Sequence, residues 1–345
     1  MVFGMAVNKN RGNWKSVLKA DPTGWLLESN NPPVRYFTLK DILERAENDP
    51  EVRDARKSIM TAGIVPRIVE QQNEDDSWGV PDDFYLGAKY KGTVWNIIVL
   101  AELGADGKDT RIRKAAEFIL ANSQDKQSGG FASQSGEDGG GHERVIPCLT
   151  GNMVFSLIRF GYRDNPSVQH GIEQITKYQR FDDGIAQAPK GWPYTRFPNC
   201  WGKHTCHMGV VKSLKALAEA AAEERIPAVK ETIANGAEYL LKHHIYKSSR
   251  DPSVIAKRFW LNFGFPTLWK TDALEMLGVL VKLGYQDDRM QDAVDLVISK
   301  QDEHGRWKME KSWNPRLLVG LEKDNKPSKW ITLQALRVLK GIKAE

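Results

Sequence analysis

Apolar residues recur at three- and four-residue spacing in six segments: VRYFTLKDILERAE, GTVWNIIVLAELG, CLTGNMVFSLIRFG, HTCHMGVVKSLKALAEAAAE, KTDALEMLGVLVKLG and KWITLQALRVLKGI. That spacing is the helical period. Several of these segments are apolar nearly all round, as expected of a helix covered on both sides. A second set is more charged: PEVRDARKSIM, DTRIRKAAEFILANSQ, NPSVQHGIEQITKYQ, PAVKETIANGAEYLLKHH and DRMQDAVDLVISKQ. Many of these open on Asp or Asn with Pro nearby, which are helix start signals. A short stretch from Trp14 to Leu18 completes this outer set.

The inner segments are anchored at Tyr36, Thr93, Thr150, His207, Ala273 and Lys329, in steps of 57, 57, 57, 66 and 56 residues. The long step carries an aromatic insertion, KRFWLNFGFPTLW. A helix pair repeated in this way cannot bury its own apolar face and must stack on its neighbours. Six pairs suit a closed ring better than an open rod. The pattern predicts an all-α chain, an (α/α)6 toroid of six helix pairs with a central cavity. Residues 1–345 form one domain, with residues 1–30 an N-terminal segment packed on the ring.

Turns of related composition follow the outer segments: EQQNEDDSWG, NSQDKQSGGF, KYQRFDDGIA and SKQDEHGRW. Each has a Gln, polar or acidic residues, a Gly in most cases, then an aromatic. Glycine permits the tight turn, and the aromatic can cover a helix end. These turns resemble the QW motif of squalene–hopene cyclases. The alternating helices resemble the toroid of terpenoid cyclases and protein prenyltransferase β subunits, over about residues 30 to 342. The resemblance implies the fold more than the chemistry, since one fold hosts several activities.

The family's chemistry is only partly matched. Squalene–hopene cyclases protonate an alkene with a DxDD acid, whereas WKTDALEML offers one carboxylate, Asp272. With Glu275 three residues on, Asp272 also fits a capping box. Prenyltransferase β subunits bind zinc through Asp, Cys and His, the His often in a Tyr-His-Thr-Cys context. Here Lys203-His204-Thr205-Cys206-His207 opens the fourth inner segment, the Asp-x-Cys partner is missing, and Cys148 stands in the preceding repeat.

All three cysteines, Cys148, Cys200 and Cys206, fall at the starts of two consecutive inner segments. With His204 or His207 they make a candidate Zn2+ set, because thiolates plus imidazole in a tetrahedron suit zinc. The alternative is that small cysteines simply pack at helix starts. The glycine-rich GGGHERVIPC brings His142 and Glu143 to the same rim. Asp272, His142 and Glu143 are the candidate catalytic groups. Tyr194, Arg196, Trp201, Trp269 and Asn152 are candidate substrate-binding residues, most of them in aromatic-rich irregular stretches of the kind that line cavities.

Composition narrows the partners. Basic residues exceed acidic ones by only five and are spread without runs, and the chain is 41% hydrophobic. Nucleic acid is therefore not expected as a partner. No stretch of 18 apolar residues spans a bilayer. The start lacks a long apolar run, so no secretory signal is expected. The few cysteines fit a reducing cytoplasm. The expected ligand is a small to medium apolar or aromatic molecule, with a homo-oligomer or a partner subunit left open. Three functions are compatible with these residues: a zinc-dependent lyase, hydrolase or transferase; a metal-free terpenoid cyclase or isomerase with Asp272 as acid; and a non-enzymatic binding protein.

Overall fold

The computed structural model describes residues 14–85, 90–202, 204–220 and 226–342. Residues 1–13, Lys203 and 221–225, on which parts of the expected N-terminal segment and fourth repeat fall, lie outside the described residues. The chain is all-α in character. Its α-helices are α1 (Thr23–Leu26), α2 (Pro32–Phe37), α3 (Pro50–Thr61), α4 (Ile64–Val69), α5 (Thr93–Glu102), α6 (Thr110–Asn122), α7 (Pro147–Arg159), α8 (Pro166–Tyr178), α9 (His207–Leu217), α10 (Pro227–Lys242), α11 (Ala273–Lys282), α12 (Gln291–Ser299) and α13 (Lys329–Gly341). One two-residue hairpin, β1 (Ser135–Gly136) against β2 (Gly139–Gly140), is antiparallel.

The periodic segments become helices for the reasons their sequences give. Helices α5, α9, α11 and α13 start on the anchors Thr93, His207, Ala273 and Lys329. Helix α7 starts earlier than its anchor because Pro147 suits the first helical position. The outer α3, α6 and α8 are capped by Asp49, Asp109 and Asn165, each accepting a backbone N–H two residues on. The first inner run divides: α2 passes into a π-turn over Thr38–Ile42, and the positive φ of Glu44 ends it. Trp14–Val17 forms only a 3₁₀ turn. Its place is set instead by Gln301, whose amide donates to Val17 O at 3.0 Å and accepts from Lys19 N at 3.0 Å.

Inner and outer helices differ in burial as the patterning predicts. Every residue of α5 before Glu102 is buried, and α7 is buried from Pro147 to Leu157. In α6 only Ile112, Ala115, Ala116 and Ile119 are buried. Inner helices pack in succession, α5 on α7, α7 on α9, α9 on α11, α11 on α13, and α13 on α2. The α7–α9 approach is close because of Gly151: a Cβ there would sit 2.4 Å from the Lys212 carbonyl carbon.

A repeated hydrogen bond joins each turn to the next inner helix. Trp78 N donates to Thr93 Oγ1 at 2.9 Å, Phe131 N to Thr150 Oγ1 at 2.9 Å, Asp182 N to Thr205 Oγ1 at 3.0 Å and Trp307 N to Thr332 Oγ1 at 3.0 Å. The indoles of Trp78 and Trp307 each donate to the carbonyl ten residues back, Ile68 O and Val297 O. An aspartate in each turn, Asp75, Asp125, Asp182 or Asp302, accepts backbone N–H groups of its own turn.

Between α5, α7, α9 and α11 lies a buried ionic cluster. Lys212 Nζ of α9 donates to both Glu275 carboxylate oxygens at 2.7 Å and to Thr267 Oγ1 at 2.9 Å. Lys215 Nζ, one turn on, reaches Glu275 Oε1 at 3.0 Å and pairs with Glu102 of α5. The Phe155 ring of α7 lies 4.7 Å from Lys215 Nζ. Lys212 is 1% exposed. Burial works against an ionised Glu275, but the two ammonium groups outweigh it and hold its carboxyl below the usual range. The hydrophobic patterning carries no sign of this paired charge. A polar cavity of about 530 Å³ lies by the C-terminal ends of α2, α5, α7 and α9, lined by residues such as Phe37, Arg56, Gly104, Arg159 and Glu219.

Two stability tests follow. Thr150→Val removes the acceptor for Phe131 N–H while keeping shape, and should cost about 1–3 kcal/mol in urea unfolding. Lys212→Met leaves Glu275 unpaired on one side and should cost about 3–5 kcal/mol, with Lys212→Met/Glu275→Gln losing less than the single change. Equal losses in the single and double variants would show the pair is uncoupled.

Candidate functional site

Asp272 is the N-cap of α11. Its Oδ1 accepts Glu275 N–H at 2.8 Å and its Oδ2 accepts Gly264 N–H at 2.9 Å. Glu275 does not complete the expected capping box, because its carboxylate is turned to Lys212 and Lys215. Asp272 is 4% exposed. Burial, with help from the neighbouring Glu275 charge, pushes its carboxyl up to about 7 against the pull of the two N–H donors. The residue is therefore a helix cap whose carboxyl is pushed by burial towards its protonated form.

An aromatic wall stands beside the segment leading into α11. Trp269 Nε1 donates to Tyr90 OH at 3.1 Å. The Tyr90 ring lies 4.5 Å from Trp313 and 5.1 Å from Trp95, and Tyr85 stacks on Trp95 at 4.9 Å. Asn152 of α7 donates to Leu268 O at 3.1 Å, tying that segment to the third inner helix. Trp269 and Asn152 thus both fasten the segment that leads into Asp272. Tyr85, Tyr90 and Trp95, with Lys212 and Lys215, were not singled out by motif. The available signal was two lysines three residues apart in the otherwise apolar face of GVVKSLKAL.

The three thiols also approach one another, closely enough that each charge would raise a neighbour. Burial first, then Cys206 and Cys200, pushes Cys148 far above the ordinary thiol range. Burial and then Cys206 push Cys200 up to about 12. Burial raises Cys206 although Gly209 and Met208 N–H groups oppose it. Tyr85 is raised by burial and then by Cys148 and Cys200.

The imidazoles do not join them. His204 is exposed, with its ring against Gly184. His207 faces α10: Tyr239 OH is 3.1 Å from its Nδ1, and the His243 and Trp260 rings lie 4.4 and 4.6 Å away. Burial, then His243, lowers His207 to about 3, and its Nε2 is buried without a partner. Among the described residues no group of three or more His, Cys, Asp or Glu is placed to hold a metal ion. The proposed four-ligand set does not fit this arrangement, and no chemical step is derived through it.

The remaining candidates form a separate group over the start of α7. His142 Nδ1 lies 2.7 Å from Asp125 Oδ2, and its ring stacks on Trp192 at 4.2 Å. Glu143 pairs with Arg196 at the surface. Tyr194 OH donates to Tyr178 O at 3.2 Å, and Trp201 Nε1 donates to Val145 O at 3.2 Å. Among the described residues, no hydrogen bond, ion pair or ring contact joins His142, Glu143, Tyr194, Arg196 or Trp201 to Asp272. Their visible partners are those that fasten a loop.

No protein-family model matches the chain. No curated protein matches it either. Among solved structures, a protein from Actinoplanes superposes with a TM-score of 0.42 at 12% identity, covering 90% of this chain and 88% of that one. An apo form of the type II terpene cyclase MstE from Scytonema gives a TM-score of 0.31 at 13% identity, over 83% of this chain and 95% of that one. A form in complex with geranylgeranyl dihydroxybenzoate gives 0.29 at 14% identity, over 83% and 96%. These likenesses are too loose to establish a shared activity.

Proposed function

We propose that the six helix pairs close into an (α/α)6 ring and that the protein is an acid–base enzyme of terpenoid cyclase or isomerase type. Its substrate is an apolar or aromatic small molecule bound against Tyr85, Tyr90, Trp95 and Trp269, with Asp272 as proton donor. The observation that carries this reading is the buried Asp272 carboxyl, pushed up to about 7 by burial, three residues after the Trp269 indole that meets Tyr90. An acid of that strength suits an alkene, enol or arene already activated towards protonation.

The Asp272 carboxyl gives its proton to a substrate carbon. Positive charge develops on the substrate, and ring faces stabilise it. The carboxylate left behind keeps its bonds from Glu275 N–H and Gly264 N–H. Loss of a proton from another substrate carbon completes an isomerisation or ring closure with no net change in atoms, and Asp272 regains its proton. Neutralisation of Lys212 and Lys215 by Glu275 and Glu102 limits repulsion of the developing cation.

Incubation in D2O with prenyl-bearing arenes, geranylgeranyl dihydroxybenzoate among them, should give product carrying one solvent deuterium. Asp272→Asn should lower the rate about 10²–10⁴-fold, and a metal chelator should leave it unchanged. Saturable binding with no deuterium uptake would point to a binding protein instead. Loss of activity on chelation, restored by Zn2+, would favour the zinc-dependent reading.

Stability gives a second check on Asp272. Its folded pKa of about 7 exceeds the unfolded value of roughly 3.9. The contribution of its protonated form is therefore complete below about pH 4 and is lost as pH rises to 7. The unfolding free energy of the native protein, relative to Asp272→Asn, should fall by up to about 4 kcal/mol across that window and stay level above it. A flat difference would mean the carboxyl titrates normally.

A further inference from the structure

Just before Asp272 the chain carries a cationic cluster that its ion pairs leave uncompensated. Lys270 Nζ lies over three rings, 5.2 Å from Trp269, 5.1 Å from Trp313 and 5.9 Å from Phe259. Lys311 Nζ lies over the same Phe259 ring at 5.4 Å. Two ammonium groups thus share one aromatic floor. Burial first, then Lys311 and Arg316, holds Lys270 below the usual lysine range. Among the described residues none of these three cations has a carboxylate partner within ion-pair distance. The adjacent carboxylate, Glu310, is engaged with Lys300 and with Phe263 N–H.

The cluster is joined to Asp272 through the backbone. Gly264, whose N–H holds Asp272 Oδ2, pairs with Lys311 in a parallel bridge. A Cβ at Gly264 would lie 2.4 Å from Lys311 O, so only glycine allows this approach. Like charges gathered on a partly desolvated surface repel one another unless an anion sits between them. A lysine ammonium offers three donors to such an anion. Flanking indole and phenyl faces suit an apolar or aromatic body attached to it.

We propose that Lys270 and Lys311, with Arg316 at the edge, bind the oxyanion headgroup of the ligand, a diphosphate or an aryl carboxylate. The apolar body of that ligand rests on Trp269, Trp313 and Phe259. This assignment rests on the acid–base reading for the position of the body, but the headgroup contact stands on its own residues. Asp272 then faces the carbon skeleton and not the charged end.

The experiment is a titration of the intact protein with inorganic pyrophosphate and, separately, with benzoate, followed by tryptophan fluorescence and calorimetry. At least one of the two should bind saturably, weaken with added salt, and lose at least about tenfold in affinity in Lys270→Gln/Lys311→Gln. Lys270→Arg should keep most of the affinity, and Lys57→Gln on the remote α3 should change nothing. The stronger of the two probes identifies the headgroup. Binding and turnover are read separately, so failure of the acid–base reading would show in turnover and leave this binding intact. Absence of binding by both probes, or equal affinity in the double lysine variant with an unchanged melting temperature, overturns the proposal.

Discussion

The Lys212–Glu275 contact fixes the centre of this protein. Glu275 sits in the first turn of α11, and its own N–H is held by Asp272. Wherever Lys212 places the Glu275 carboxylate, the start of α11 and the Asp272 cap must follow. Lys212 is in turn positioned by the close α7–α9 approach that Gly151 permits. Lys215 extends the contact to Glu102, so α5, α9 and α11 are linked through charge as well as packing. A buried pair of this kind adds little net stability over a well-packed apolar replacement, but an unpartnered member is costly.

The same cluster explains why two carboxyl groups three residues apart behave oppositely. Glu275 has ammonium groups on it, and they hold its carboxyl down. Asp272 has only N–H donors, and burial wins. Two lysines and two glutamates sum to no charge, so Lys212 offers Asp272 only weak support. Were Glu102 replaced by a neutral residue, the excess positive charge would favour ionised Asp272 and leave less of it protonated at neutral pH. The neutrality of the cluster is therefore part of the acid's environment.

Much of the helix layout is legible in the sequence, because burial on all sides leaves a run that is apolar all round. Four inner helices begin on the anchors read from that period. The first did not, since a π-turn and a left-handed Glu44 have no signature in hydrophobic periodicity. The threonine bonds were half visible: Thr93 and Thr150 were anchors, but nothing local reveals that their hydroxyls receive a turn N–H from the preceding repeat. At the site, Asp272 and Trp269 were legible as residues adjacent in sequence. Lys215, Glu102 and Tyr90 were not, because the contacts Lys215–Glu275, Glu102–Lys215 and Tyr90–Trp269 each span more than 50 residues of chain. The clustering of Cys148, Cys200 and Cys206 was read from helix starts, whereas the direction of His207 depends on Tyr239 and Trp260, far along the chain.

The helices also give the molecule two electrically different ends. Arg159, Lys215, Lys282 and Lys340 lie in the last turns of α7, α9, α11 and α13. Cations there complement the partial negative charge of helix C-termini. The polar cavity at that end is lined by acids and bases in equal number, Lys40, Arg56, Arg159 and Arg163 against Asp41, Glu47, Asp164 and Glu219. An anion entering there would meet both the carboxylates and the helix ends. At the other end the backbone presents N–H groups, and Lys270 and Lys311 add positive charge that no acid among the described residues pairs with. Positive charge and the rings of Trp269, Trp313 and Tyr90 thus lie together beside the segment that leads into α11.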